Sequence, residues 1–195
     1  MPHFAPTRAT ALRPDTCRGI RPCAAAAALG MGALSVALLL SWTAAAAPGD
    51  TASAAMADAE GNDVGTVELT ETHHGTLVVA KLKDLPEGAL AFHVHTTGLC
   101  EPPFTSAGGH YNPASAKHGF DAEAGPHAGD MPNIYIPASG ELTIEVLNAN
   151  LTIDDSLLDA DGAAVVIHAG ADDYETDPTG NAGDRIACGV IKGPN

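Results

Sequence analysis

The sequence predicts an all-β fold, an antiparallel sandwich or barrel, and three observations carry that expectation. Short stretches alternate apolar and polar residues, helical periodicity is weak throughout, and Gly- and Pro-rich connections separate the stretches. Residues 48–60 are small and polar and read as a flexible lead-in. Residues 64–72 alternate Val67 and Leu69 with Thr66, Glu68 and Thr70, and 75–83 read as the partner strand, with Leu77, Val79 and Leu82 apolar. The intervening Thr72-His73-His74-Gly75 is turn-like, as is Leu85-Pro86-Glu87-Gly88. Further strands are expected at 90–96, 142–147, 163–168 and 186–191. Two connections, about 98–130 and 170–184, are too long for hairpins and hold few large apolar residues. Something other than a hydrophobic core must order them.

The first 47 residues do not belong to that pattern. Arg8, Arg13, Arg18 and Arg21 make the start basic, and Cys23 then opens 25 uncharged residues that end in Ala44-Ala45-Ala46-Ala47. A basic start, an apolar middle and small residues at the end describe a secretory signal peptide over 1–47, cleaved near 46/47. A retained membrane anchor is disfavoured because the stretch is rich in Ala and ends in a signal-like run, and a lipid anchor because no Cys directly follows it. The expected location is therefore secreted or extracytoplasmic, in periplasm or cell envelope. The 148 residues from Pro48 onward suffice for one domain. They carry 23 acidic and 5 basic side chains, a formal charge of −18. Such a surface repels nucleic acid and anionic membrane, and it repels an anionic substrate too. Cleavage would remove Cys17 and Cys23, leaving Cys100 and Cys188. In an oxidising compartment these should form a disulfide, the alternative being two unpaired buried thiols.

Eight histidines follow Pro48, and six make a suggestive arrangement. His93 and His95 lie two apart on an expected strand, so both rings leave one face while Phe92 and Val94 leave the other. The long loop then supplies His110, His118, His127 and Asp130, a nitrogen-rich set with one carboxylate that suits tetrahedral zinc. His168 ends the apolar run Ala164-Val165-Val166-Ile167. His73 and His74, in a turn, read as ordinary surface residues. Imidazole serves both zinc and copper, and four nitrogens without thiolate favour copper(II). The residues alone thus describe a two-metal protein whose task stays open.

Several segments together resemble the copper/zinc superoxide dismutases, over nearly all of 55–192. They are Ala91-Phe92-His93-Val94-His95, Gly109-His110-Tyr111-Asn112-Pro113, Lys117-His118-Gly119, His127-Ala128-Gly129-Asp130, Val166-Ile167-His168 and the run from Gly180 through Arg185 and Cys188 to Ile191. Ser106-Ala107-Gly108-Gly109-His110 and the signal-like start resemble the bacterial, secreted branch. The resemblance implies a domain over 55–195 with a Greek-key β-sandwich, a flattened eight-stranded barrel carrying two long functional loops. It implies copper on His93, His95, His110 and His168, and zinc on His110, His118, His127 and Asp130, with His110 bridging. Asp172 would link a copper histidine to a zinc histidine, Cys100 and Cys188 would be the family disulfide, and Arg185 would stand beside the copper channel opposite Thr179. Catalytic roles would fall to Arg185 and His110.

The implied reaction is disproportionation of superoxide to oxygen and hydrogen peroxide. A non-enzymatic copper- or zinc-binding envelope protein on the same fold is the first rival, needing the histidines but not Arg185. A zinc hydrolase is the second, but it would want a general-base carboxylate at an open zinc position. The loop 169–184 looks shorter than in animal enzymes and is acidic through Asp173, Glu175 and Asp177. Electrostatic steering would then fall to lysines elsewhere, with Lys117 a candidate, or be weaker. The family contains dimers and monomers, so a homodimer stays open.

Overall fold

The computed structural model describes residues 46–194. The segment read as a signal peptide lies outside the described residues except for Ala46 and Ala47. Among the described residues no helix is long and apolar enough to cross a membrane. The strands are β1 (Thr51–Asp58), β2 (Asp63–Thr72), β3 (Gly75–Leu82), β4 (Gly88–Leu90), β5 (Phe92–His95), β6 (Ile134–Ile136), β7 (Leu142–Asn148), β8 (Ala164–His168) and β9 (Arg185–Lys192), with one 3-10 turn at Thr105–Ala107. Seven of them form a sheet in the order β5-β8-β9-β1-β2-β3-β7, and β4 pairs with β6. Every pairing between named strands is antiparallel. The crossovers β3–β7 and β5–β8 join strands distant in sequence, and the large sheet curls into a half-barrel.

The expected lead-in at 48–60 is mostly strand. β1 lies in mid-sheet between β2 and β9. Its alternation is regular: Ala52, Ala54 and Met56 are buried, Thr51, Ser53 and Ala55 exposed. The pattern is written in alanine and serine, so it looked merely small and polar. The expected strand at 90–96 also differs, for it breaks at Ala91. The Ala91 N–H donates to Gly170 O and its carbonyl accepts from the His168 N–H. This one segment therefore serves both sheets, β4 in the small pair and β5 beside β8. Counted as one strand, it brings the nine segments to the expected eight.

The core explains why β8 is apolar on both faces. Val165 and Ile167 join the main core with Phe92, Val94, Leu69, Met131 and Leu151. Ala164 and Val166 face outward, yet they are buried under Phe104, Ala107 and the cystine. Cross-strand partners share a face, and His93 opposes Val166 while His95 opposes Ala164. Both rings thus leave the barrel on the side that the 96–133 loop covers. The register of β8 against β9 slips between Ile167 and His168, so that His168 opposes Arg185 and not Ile186. A bulge of this kind re-aims a side chain; here it turns the guanidinium toward the histidines.

Cys100 and Cys188 are bonded across 88 residues, tying that loop to β9. A loop of this length contributes ~4–5 kcal/mol in the chain-entropy model. Cys188→Ser should lower the unfolding free energy by about that amount at most, read as a shift of the guanidinium midpoint. An unchanged midpoint would mean that the loop is held without it.

Candidate metal centre

The ligand-type side chains come from three places: His93 and His95 from β5, His168 from the end of β8, and His110, His118, His127 and Asp130 from the 96–133 loop. All seven are buried. They fall into two groups, His93/His95/His110/His168 and His110/His118/His127/Asp130. Within each group one ligand atom per residue lies within 4.8 Å of the others. His110 belongs to both, its ring centroid 4.0 Å from that of His93 and 5.0 Å from that of His118.

Backbone hydrogen bonds bring these segments into line. The Val94 N–H, between His93 and His95, donates to Gly129 O at 2.9 Å. The Gly129 N–H, between His127 and Asp130, donates to Tyr111 O at 2.8 Å. The Tyr111 N–H, next to His110, donates to Val94 O at 2.8 Å. This closed ring of three bonds locks three ligand segments together. Only glycine fits at 129, since a Cβ there would lie 2.2 Å from Val94 O.

The remaining hydrogen bonds indicate which ring nitrogen is free. His93 Nε2 donates to Asp172 Oδ2 at 2.6 Å, leaving Nδ1 buried without a partner. His95 Nδ1 donates to Gly108 O at 3.0 Å, and His168 Nδ1 is 3.3 Å from Gly183 O. Their Nε2 atoms then face each other at 3.3 Å, lone pair against lone pair. His110 Nε2 is likewise unpartnered, while its Nδ1 lies 2.8 Å from Asp130 Oδ1. His118 places Nε2 on Asp172 Oδ1 at 3.0 Å and Nδ1 on Asp130 at 3.2 Å. His127 Nδ1 also points at Asp130, 3.3 Å away. Converging lone pairs and orphaned buried nitrogens fit cations: four nitrogens suit copper(II), three nitrogens and a carboxylate suit zinc.

Electrostatics favours the ligand forms. Burial depresses His93 to about 4, and the neighbouring His110 adds to this against the Asp172 hydrogen bond. Burial, then His110, takes His95 to about 2, and burial, then His93, takes His168 to about 3. Burial thus favours the neutral form of all three rings, in which one nitrogen carries the proton and the other offers a lone pair. Burial opposes ionisation of Asp130, but hydrogen bonds from His110 and the Gly119 N–H outweigh it and hold the carboxyl below its usual range.

Asp172 is itself gripped. Asn133 accepts from its N–H at 2.8 Å and donates to its carbonyl at 2.9 Å. The Tyr174 N–H reaches Oδ1 at 2.6 Å. Gly180 leaves room for the carboxylate, since a Cβ there would sit 2.0 Å from Oδ1. Sequence reasoning missed Asn133 and Gly180, because neither has a spacing that signals a contact 39 or 8 residues away. Arg185 does not pair with Asp184. Its Nη1 donates to Phe104 O and its Nη2 to Gly108 O, both at 2.6 Å. Burial lowers its pKa, but a guanidinium stays protonated at pH 7. Thr179 is half-buried in the turn before Gly180, its N–H on Thr176 O. Lys117 is bound to Asp177 at 2.7 Å, which weakens it as a steering charge.

Residues 64–191 match the family model for copper/zinc superoxide dismutase (SODC). The chain belongs to the copper/zinc superoxide dismutase family. It is 50% identical over 147 residues to "Superoxide dismutase [Cu-Zn] 2" of Aquifex aeolicus, covering 72% of this chain and 86% of that one. A crystal structure of a superoxide dismutase-like protein from Bacillus subtilis matches with TM-score 0.65 at 36% identity, over 71% of this chain and 96% of that one. The Cu/Zn superoxide dismutase from Brucella abortus matches with TM-score 0.63 at 29% identity, over 73% and 99%. The copper and zinc that the family's name carries fit the two donor groups of this superoxide dismutase fold.

Asp172 holds His93 and His118 in the tautomers that free Nδ1. Asp172→Ala should therefore weaken both donor groups together, each by about 10–100-fold. Competition with chelators for copper and zinc would read this. Loss confined to one metal would show that the carboxylate does not join the two groups.

Proposed function

We propose that this chain disproportionates superoxide, two anions and two protons giving one molecule of oxygen and one of hydrogen peroxide, with copper in the first donor group and zinc in the second. The observation that carries this reading is the pairing of a shared ring with a pinned cation. His110 turns Nε2 to one group and Nδ1 to the other. Arg185 is fixed through Gly108 O, the same carbonyl that orients His95.

Copper, when bound, supplies the one-electron couple, and zinc supplies a fixed charge without redox chemistry of its own. The protein does the rest. Arg185 binds the small anion and stays charged while doing so. Two carbonyls hold its fork, so little side-chain freedom is lost on binding. His110 holds a proton at Nε2 in one half of the cycle and returns it to the peroxide, while Nδ1 keeps the ring oriented. Asp172 keeps His93 and His118 in register through both halves.

A metal store on the same fold would need the seven ligands but not the guanidinium locked over them, which favours the enzyme. The basic, apolar start and the disulfide support an exported protein, cleaved near 46/47 and acting outside the cytoplasm. Protein reconstituted with copper and zinc should consume superoxide, and a zinc-only sample should not. Arg185→Ala should lower the rate at least about tenfold with both metals retained; metal loss in that variant would assign Arg185 a structural role.

The charges yield a second expectation. Lys81 pairs with Glu68, Lys83 with Asp63 and Lys117 with Asp177. Lys192 sits on β9 at the Ser53 end, leaving Arg185 as the cation at the site. The part of the chain from Pro48 onward, at −18, then repels its substrate at long range. The screening length falls from about 30 Å at 0.01 M salt to about 8 Å at 0.15 M. kcat/KM should therefore rise with salt over that interval, and a marked fall would reveal attractive steering.

A further inference from the structure

Asn148 closes β7, the edge strand, with its side chain buried at 6% exposure. Its Nδ2 donates to Ala128 O at 2.9 Å and to Asp130 O at 3.2 Å. Its Oδ1 accepts from the N–H groups of Asn150 at 2.9 Å and Leu151 at 3.1 Å. All four hydrogen-bonding capacities of the amide are used.

The two carbonyls flank Gly129, whose own N–H and carbonyl are held by Tyr111 and Val94. The Asp130 carboxylate meanwhile accepts from the N–H groups of Gly119 and His127, both at 2.9 Å. The segment 127–130 is thus gripped from two sides, by the backbone ring near β5 and by one side chain at the far end of the sheet. Val94 and Tyr111 belong to ligand-bearing segments themselves, next to His93, His95 and His110, whereas Asn148 stands on β7 and carries no ligand neighbour. We propose that Asn148 is a positioning residue for the second donor group. It fixes the carbonyls on either side of Gly129, and so the angle at which His127 and Asp130 present their ligand atoms to zinc. This rests on the assignment of zinc to that group.

The amide's two halves separate this role from a plain turn. Oδ1 caps the 148–151 turn, whereas Nδ2 alone reaches the ligand segment. Asn148→Asp keeps acceptors for Asn150 and Leu151 and removes both donors. In copper-loaded protein, zinc affinity by chelator competition should fall about 10–100-fold. The visible spectrum of cobalt(II) substituted for zinc should change with it, and metal-free stability should fall by less than the zinc-binding free energy does. Asn148→Ser adds no charge and loses the same reach; it should weaken zinc in the same direction and stands in if the aspartate variant does not fold. Wild-type zinc affinity and an unchanged cobalt spectrum in either folded variant would overturn the inference alone. So would a zinc loss no larger than the loss of metal-free stability. A wild-type protein that takes up no zinc would overturn the zinc assignment, and this inference with it.

Discussion

Lone pairs that face one another organise this molecule. His95 and His168 aim Nε2 at each other across 3.3 Å, His93 and His110 bring unpartnered nitrogens to the same place, and Asp130 stands against three rings. Each buried nitrogen left without a partner costs about 1–3 kcal/mol. The two at His93 and His110 already take a notable share of an ordinary net stability of ~5–15 kcal/mol. A protein keeps such an arrangement only if cations turn the cost into a gain, and structural zinc binding can supply about 10–16 kcal/mol. The second donor group thus adds to what holds the 96–133 loop, beside the disulfide and the buried Phe104, Tyr111 and Met131.

That loop has two functions joined through one atom. Gly108 O accepts from His95 Nδ1 and from Arg185 Nη2. The disulfide at Cys100 and the Phe104 carbonyl brace the same stretch against β9. The bulge in the β8–β9 ladder supplies the other half by setting Arg185 opposite His168. Placement of the Arg185 guanidinium and placement of the copper-type ligands are therefore a single structural event. Asp172 plays the corresponding part on the opposite side, joining His93 to His118 and so one donor group to the other.

How much of this was legible depends on the range of the contact. His93 and His95 declare themselves, because a period of two on a strand is local physics. The strong strands declare themselves too, through Val, Leu and Ile. β1 stayed hidden because Ala52 and Ala54 carry its buried face, and small apolar side chains give little contrast against Thr and Ser. β6, three residues long, is too short for any pattern. The break at Ala91 belongs to tertiary structure: its hydrogen bonds go to His168 and Gly170, more than 70 residues on. Asn133 and Asn148 act through backbone N–H and carbonyl groups, which have no sequence identity, so nothing in their neighbours marks them.

The acidic surface is the last constraint. Three of the five cations after Pro48 are tied to carboxylates on the sheet or loop, where exposed pairs of this kind contribute at most about 1 kcal/mol each. Stability is therefore a weak reason for keeping them, and their effect on the field is the larger one. Lys117 shows the trade most plainly: it sits one residue before His118, yet Asp177 neutralises it, and that same carboxylate accepts the His118 N–H at 3.1 Å. The loop spends its nearest lysine on holding the second donor group in place. On the proposed reading, attraction of an anion is left to Arg185 and to the metals, against the acidic residues around them. On that reading the site takes substrate that arrives by diffusion, and its selectivity falls to the fork of Arg185.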